Sequence, residues 1–378
     1  MTGLPRSFSI AASASSAVTD AKAICTRTAA PKNQTYTAMP GSSASSTRNI
    51  TDWTLELDLL RRVLRSILRD ASRATVAEGL EALSFDAAFL SEPALSTEES
   101  WGLTEGEAKL LPTGFLSQRP LRRLLLLRQA IDRRAEGAAR SIRDFFLVAL
   151  AHVTANGAGN FAFGPEIYRT KPKPDYDVMG HFARHADLMI TELARVQATG
   201  PGQTSATVCS DDARKLKAVP GGISAVITSP PYPNEKDYTR TTRVESILLG
   251  LLTDRASLRE VKESLLRSNT RNVFFDDTDG QEVGDFASIQ SVCRQIEERR
   301  IELGKDSGFE RLYHKVVSHY FGGMRQHFRA LRPKLRRRAR LAYVVGDQLS
   351  FLMVPVATAR LLSEVAAAEG FKTVGRDL

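Results

Sequence analysis

The sequence predicts an α/β protein in which a helical N-terminal region precedes a layer of helices on a small, largely parallel sheet. Apolar residues recur at helical spacing from Trp53 to Leu68 and again over 120–155. Short β-branched runs with turn residues nearby occur only in the second half, at 206–209, 223–227, 341–345 and 371–374. Helical patterns separate those runs, and strands alternating with helices point to a parallel sheet with crossover connections. The 378 residues allow two domains of about 150 residues each. They divide into 1–50, 51–200 and 201–378, the last carrying a helical insertion at about 239–310.

Residues 1–50 stand apart. They hold nine Ser, ten Ala and seven Thr against one acidic residue, Asp20. No apolar periodicity runs through 1–47, which predicts a disordered or aberrant tail. An acid-poor N-terminus with Ser and Arg also fits an organelle transit peptide. A third reading is a longer protein whose N-terminal part is absent or scrambled here. From Thr51 the pattern turns helical: Leu55, Leu59, Leu60, Val63, Leu64 and Ile67 fit one broad face that Thr51 or Asp52 can cap. The block over 120–155 reads as two helices divided near Glu136-Gly137, with Ile142, Phe146, Ala149, Leu150 and Val153 on one face of the second. Helix packing accounts for all of these positions. Further helical patterns follow at 244–252, 258–268, 286–303, 310–331 and 354–369.

Hydrophobic residues at 42% and charged residues at 25% exclude a collagen-like, mucin-like or wholly disordered chain. No apolar run approaches the roughly 18 residues of a membrane span, so a soluble protein without a membrane partner is expected. Cys25, Cys209 and Cys293 are too few and too scattered for a disulfide framework or a zinc cluster. A reducing, cytoplasmic setting follows as the expectation. The net charge of +9 permits a polyanionic partner without establishing one.

The most informative stretch runs from Ile223 to Asn234, where a strand ends in Thr228-Ser229-Pro230-Pro231-Tyr232. Two consecutive prolines fix two φ angles, remove two N–H donors and keep the preceding residues out of helical geometry. A rigid loop results at the carboxyl end of a strand, where open α/β sheets place their ligands. The Ser229 side chain and nearby backbone carbonyls can accept hydrogen bonds from an amino group, and Tyr232 offers a flat face for stacking. An acceptor pair with an aromatic plate suits the exocyclic amine of a base taken out of its stack.

This stretch resembles motif IV of the amino-group DNA methyltransferases, and its Ser-Pro-Pro-Tyr form looks more like the N4-cytosine type than the N6-adenine type. Asp211 to Leu216, just after a strand, looks like the family's motif III; Asp212 matches the residue that binds the adenine amine of S-adenosylmethionine. Tyr320-Phe321, Leu331-Arg332-Pro333, the strand over 341–345 and Gly346-Asp347 resemble the helix, turn and strand that follow in bacterial members. Lys171 to Val178 and Asn234 to Arg240 also look like stretches of one group of these proteins, so that the resemblance covers roughly residues 100 to 378. It implies a Rossmann-like methyltransferase sheet, S-adenosylmethionine as cofactor, DNA as partner, no metal, and a place in a restriction–modification or related system. It implies the catalytic set Ser229, Pro230, Pro231 and Tyr232. Hydrogen bonds from the amine to Ser229 and to the Pro230 carbonyl would localise the nitrogen lone pair, while Tyr232 stacks on the base.

The chain departs from the family in its cofactor half, and also in the basic run from Arg332 to Arg340, where the usual turn is glycine-rich. The Gly-rich turn after the first strand and the acidic residue after the second are missing upstream of residue 150. Gly157-Ala158-Gly159 follows a helical pattern, so a helix-end turn is expected there instead of a cofactor loop. The sheet is therefore expected to be incomplete. A truncated, catalytically inactive remnant that binds nucleic acid or a partner stands as an alternative, as does a methyltransferase acting on RNA or protein.

Other clusters are expected to be structural. His181 and His185 lie four apart on a helix without a third metal ligand, and His314, His319 and His327 have no evident partners. The run from Arg332 to Arg340 carries six positive charges and no acid. It reads equally as a solvated turn before a strand or as a phosphate grip, in which Arg336, Arg337 and Arg338 would act with Lys236, Arg240 and Arg243.

Overall fold

A computed structural model describes the backbone of residues 6–12 and 46–49, and residues 55–78, 102–135, 140–164, 166–200, 207–234 and 236–377. In chain order the elements begin with β1 (Arg6–Ala12), β2 (Ser46–Asn49), α1 (Leu57–Ala77), α2 (Glu105–Leu110), α3 (Gln118–Ala135) and α4 (Arg140–Val153). There follow β3 (Phe161–Ala162), β4 (Tyr168–Arg169), α5 (Val178–Ala198), β5 (Thr207–Ser210), β6 (Ile223–Thr228), α6 (Tyr238–Thr241), α7 (Arg243–Leu248) and α8 (Arg255–Ser264). The chain closes with α9 (Ala287–Glu302), α10 (Tyr313–Leu331), β7 (Leu335–Val345), α11 (Thr358–Ala368) and β8 (Phe371–Asp377). The protein is mixed α/β, mostly helical, with a small sheet. It divides into two compact units, one of residues 49–207 and 238–261, the other of residues 1–48, 208–237 and 262–378.

The first unit is a helical bundle. The stripe Leu60, Leu64, Ile67 and Leu68 of α1 is buried with Leu124 and Ile131 of α3, Phe146 and Leu150 of α4, and Phe182 and Ile190 of α5. The expected caps Thr51 and Asp52, and the break at Glu136-Gly137, lie outside the described residues. Thr104 opens α2 with a reciprocal capping box: its hydroxyl accepts from the Glu107 N–H at 3.2 Å and its own N–H donates to the Glu107 carboxylate at 2.9 Å. Val244 and Leu248 of α7 are buried in the same core. The first part of the expected insertion therefore folds with this unit.

The second unit is built on a four-stranded sheet in the order β6-β7-β1-β8, with every pairing parallel. Leu335, Ala339, Leu341, Tyr343 and Val345 of β7 are buried. α10 covers them, with the Phe328 ring 5.2 Å from Tyr343 and 5.5 Å from Phe371. The strands expected at 223–227, 341–345 and 371–374 form at these places, and β5 pairs with β2 in a separate two-stranded sheet. Two expectations are corrected. Strands are not confined to the second half: Arg6–Ala12, inside the stretch expected to be disordered, pairs with both β7 and β8. Seven residues in a Ser/Ala/Thr-rich background carry little local strand signal, and the pairing that holds them comes from the far end of the chain. The run Arg336 to Arg340 is not a turn either, since β7 begins at Leu335. Among the described residues, no helix is long and apolar enough to cross a membrane.

Candidate functional site: the loop after strand six

β6 ends at Thr228, and the two prolines stop it there. Ser229 is exposed while Pro230 is buried. Tyr232 packs partly against the core of the α/β unit, and its hydroxyl lies 3.2 Å from the Ser229 Oγ. The predicted acceptor and the predicted aromatic plate are thus hydrogen-bonded to each other at the carboxyl end of a parallel strand. β6 is the edge of its sheet and, among the described residues, pairs with β7 alone; Ile227, two residues before Ser229, is 78% exposed.

A segment from Leu266 to Asp277 braces this loop from behind. The Asn234 N–H donates to the Ser268 carbonyl at 3.2 Å, and the Asn269 Nδ2 donates to the Lys236 carbonyl at 3.2 Å. Arg267, Ser268, Asn269, Thr270 and Asn272 are all buried. Arg267 accounts for much of that burial: Nε and Nη2 hold both oxygens of Asp277 at 2.9 and 2.6 Å, and Nη1 donates to the carbonyls of Leu265, Lys262 and Glu263 at 2.7 to 3.2 Å. Burial pushes the Asp277 carboxyl up, but the Arg267 bonds outweigh it and hold the group below the usual carboxylate range. A buried polar network of this kind rigidifies a loop only because its members are satisfied.

Asp212 sits in a tight turn after β5. Asp211 closes the turn, accepting from the N–H groups of Asp212 and Ala218, and Leu216 takes a left-handed φ of +46°, uncommon for a residue with a Cβ. Both Asp212 oxygens are already engaged. Oδ1 accepts from the Arg214 N–H and Nε at 2.9 Å each, and Oδ2 from Nη2 at 2.8 Å. Arg214 also donates to Asp279 at 2.8 Å and to the Glu263 carbonyl at 2.7 Å. Burial raises the Asp212 pKa, and Arg214 more than reverses this, so the carboxylate is held ionised. As placed, Asp212 does not fit the role of acceptor for a cofactor amine.

The Asp212 turn is tied to the motif strand by His327. Its Nδ1 lies 2.8 Å from the Ala213 carbonyl and its Nε2 lies 2.6 Å from the Tyr343 hydroxyl. A carbonyl only accepts, so Nδ1 carries the proton and Nε2 accepts from Tyr343. Tyr343 in turn lies opposite Thr228, the residue before Ser229. His327 is therefore held by hydrogen bonds at both ring nitrogens, and His319 at one, its Nδ1 accepting from the Gly280 N–H at 2.9 Å. His314 lies 3.3 Å from Glu297. No local signal announces these partners, which are separated from their histidines by up to 114 residues.

The residues predicted to contact phosphate do not all fall in one unit. Arg336, Arg337 and Arg338 are exposed on β7, where the register with β6 shifts between Ile223 and Ala225 and Arg338 takes a φ of +63°. Lys236 is half-buried in the braced loop. Arg240 and Arg243 belong to the helical unit: Arg240 pairs with Glu166 at 3.1 Å and Arg243 donates to Thr239 Oγ1 at 3.4 Å. His181 and His185 do share a helix, α5, with His181 stacked on Tyr176 and His185 on His152, ring centroids 4.6 and 3.6 Å apart. Among the described residues, no group of three or more His, Cys, Asp or Glu is placed to hold a metal. Gly157 lies in a π-helical turn, Thr154–Ala158, that ends α4. A Cβ there would meet the Tyr176 hydroxyl at 2.3 Å, so close packing against Tyr176 accounts for this glycine.

Comparison of the chain with models of protein families, with curated proteins and with solved structures finds no match.

Proposed function

We propose that this protein is a DNA methyltransferase of the amino-group type, transferring a methyl group from S-adenosylmethionine to N4 of cytosine or N6 of adenine on a Rossmann-like sheet. The observation that carries the reading is the Ser229-Pro230-Pro231-Tyr232 loop, which presents an exposed Ser hydroxyl bonded to a Tyr hydroxyl beyond a parallel strand. An exocyclic amine is a poor nucleophile because its lone pair is delocalised into the ring. Ser229 Oγ and the Pro230 carbonyl would accept hydrogen bonds from its two N–H groups and turn the lone pair outward, and acceptors held rigidly do this without reorganising. Tyr232 would give up its bond to Ser229 and lie against the base. The two prolines keep the acceptors in place before the base arrives.

The cofactor half of the site fits less well. Arg214 occupies the Asp212 carboxylate. This observation favours a second reading, a catalytically inactive relative that binds nucleic acid through the same surface. Purified protein incubated with tritiated S-adenosylmethionine and genomic DNA separates the two. Methyl incorporation by the wild type, cut at least a hundredfold in Ser229→Ala and in Tyr232→Ala (the scale of losing one preorganised donor or acceptor, about 10²–10³), supports the enzyme. Wild-type DNA binding without incorporation supports the inactive relative.

A further inference from the structure

A cleft of about 250 Å³ opens in the helical unit, where the end of α4 meets the first half of α5. Its walls are built from rings. His152 of α4 and His185 of α5 stack nearly parallel, with centroids 3.6 Å apart and planes at 8°, and His181 stacks on Tyr176 at 4.6 Å and 20°. Arg184 lines the cleft between them. At the end of α4 the π-helical turn Thr154–Ala158 brings Asn156 and Gly157 to the same cleft, and such turns frequently mark functional sites. The turn is held in place: Gly157 admits the Tyr176 ring where a Cβ would not fit, and Lys173 Nζ donates to the Gly157 and Gly159 carbonyls.

We propose that this cleft binds a phosphate group. Among the described residues that line it are one guanidinium, three imidazoles and one amide, and no carboxylate. Arg184 supplies a permanent charge and paired N–H donors. Asn156 Nδ2 lies 3.3 Å from His152 Nδ1; an amide nitrogen only donates, so Nδ1 accepts and the neutral His152 ring keeps Nε2–H as a donor. His152, Asn156, His181 and Arg184 are all exposed and so open to a ligand. The acids nearby stand outside the lining. Asp177 Oδ1 is taken by the Gly180 N–H at 2.8 Å, its Oδ2 reaches Arg184 only at 3.9 Å, and Glu192 is exposed farther along α5. The cleft is smaller than the roughly 300–1,000 Å³ that holds a drug-sized ligand, which suits a phosphate with little attached. The proposal rests on the helical unit alone and stands whether or not the protein methylates DNA.

The full chain is titrated by calorimetry with inorganic phosphate, with adenosine 5′-monophosphate, and with a short single-stranded oligonucleotide that lacks terminal phosphates. Wild type is expected to give saturable binding with at least one of the three. Arg184→Gln and His185→Gln should each weaken it about tenfold, the scale of one charge-assisted hydrogen bond. Arg195→Gln removes the same charge from an exposed position of α5 outside the cleft and should bind as wild type does. Thermal unfolding of Arg184→Gln should match wild type, since the side chain is exposed. Binding of phosphate or the mononucleotide, lost in the cleft variants, identifies a free phosphate ligand; binding of the oligonucleotide alone, lost in the same variants, identifies a phosphodiester of nucleic acid. The absence of saturable heat with all three overturns the proposal. So does wild-type affinity in both Arg184→Gln and His185→Gln, or an equal loss in Arg195→Gln, which would mean that diffuse charge binds the anion.

Discussion

His327 shows how much a single side chain settles in this protein. It bridges the Ala213 carbonyl and the Tyr343 hydroxyl; the carbonyl requires the proton on Nδ1, and in the neutral ring that burial favours Nε2 accepts from Tyr343. Burial depresses its pKa from the ordinary 6.5, with the Ala213 carbonyl acting in the opposite direction, and burial likewise depresses His319 against Asp277 and Asp279. Below that pH the unfolded chain binds protons that the folded chain refuses. Stability is therefore complete above about pH 6.5 and is lost as the pH falls through it. Thermal melts from about pH 8 down to about pH 5.5 should show the midpoint falling, and His327→Gln should flatten part of that slope. An equal slope in the variant would mean that His327 keeps its protonation on folding. Burial also pushes the Cys293 thiol up to about 12, consistent with the inert buried thiol its surroundings suggest.

Among the described glycines, Gly322 of α10 has the least room for a side chain. A Cβ on Gly322 would stand 1.7 Å from the Asp279 carbonyl oxygen and 2.5 Å from its carbon, both backbone atoms that cannot swing aside. Asp279 in turn anchors Arg214 and Gln326, so a shift there would loosen the Asp212 turn. Gly322→Ala is expected to lose about 3 kcal/mol in denaturant unfolding, the upper range for overpacking. Gly308→Ala, where a Cβ meets nothing within 4 Å, should stay near wild type. A tolerated Gly322→Ala would mean that the Asp279 turn yields at little cost. Helix α10 itself was legible in the sequence because its buried face repeats at helical spacing. Its packing on the Asp279 turn was not, because a glycine that permits close approach looks locally like any other glycine.

At the scale of the whole molecule, the net charge of +9 becomes informative only through its placement. Arg336, Arg337 and Arg338 are exposed together on one strand, whereas Arg240 is paired with Glu166 in the other unit. If the three strand arginines meet DNA phosphates, replacing all three by Ala should lower the slope of log affinity against log salt by up to about 0.9 for each phosphate left without its arginine. An unchanged slope would remove them from the interface. The alternation of helices and strands, and the rigid Thr228–Tyr232 loop, could be read in advance because periodicity and proline geometry act over a few residues. The strand at Arg6–Ala12 could not, since pairing across the length of the chain outweighs weak local preference. Nor could the way the distant Asp279 holds Arg214 in place on Asp212, or the exposure of Phe275. Residue types marked where chemistry could occur. Which of those groups are free to act depends on partners brought together from distant parts of the chain, and only the folded protein supplies them.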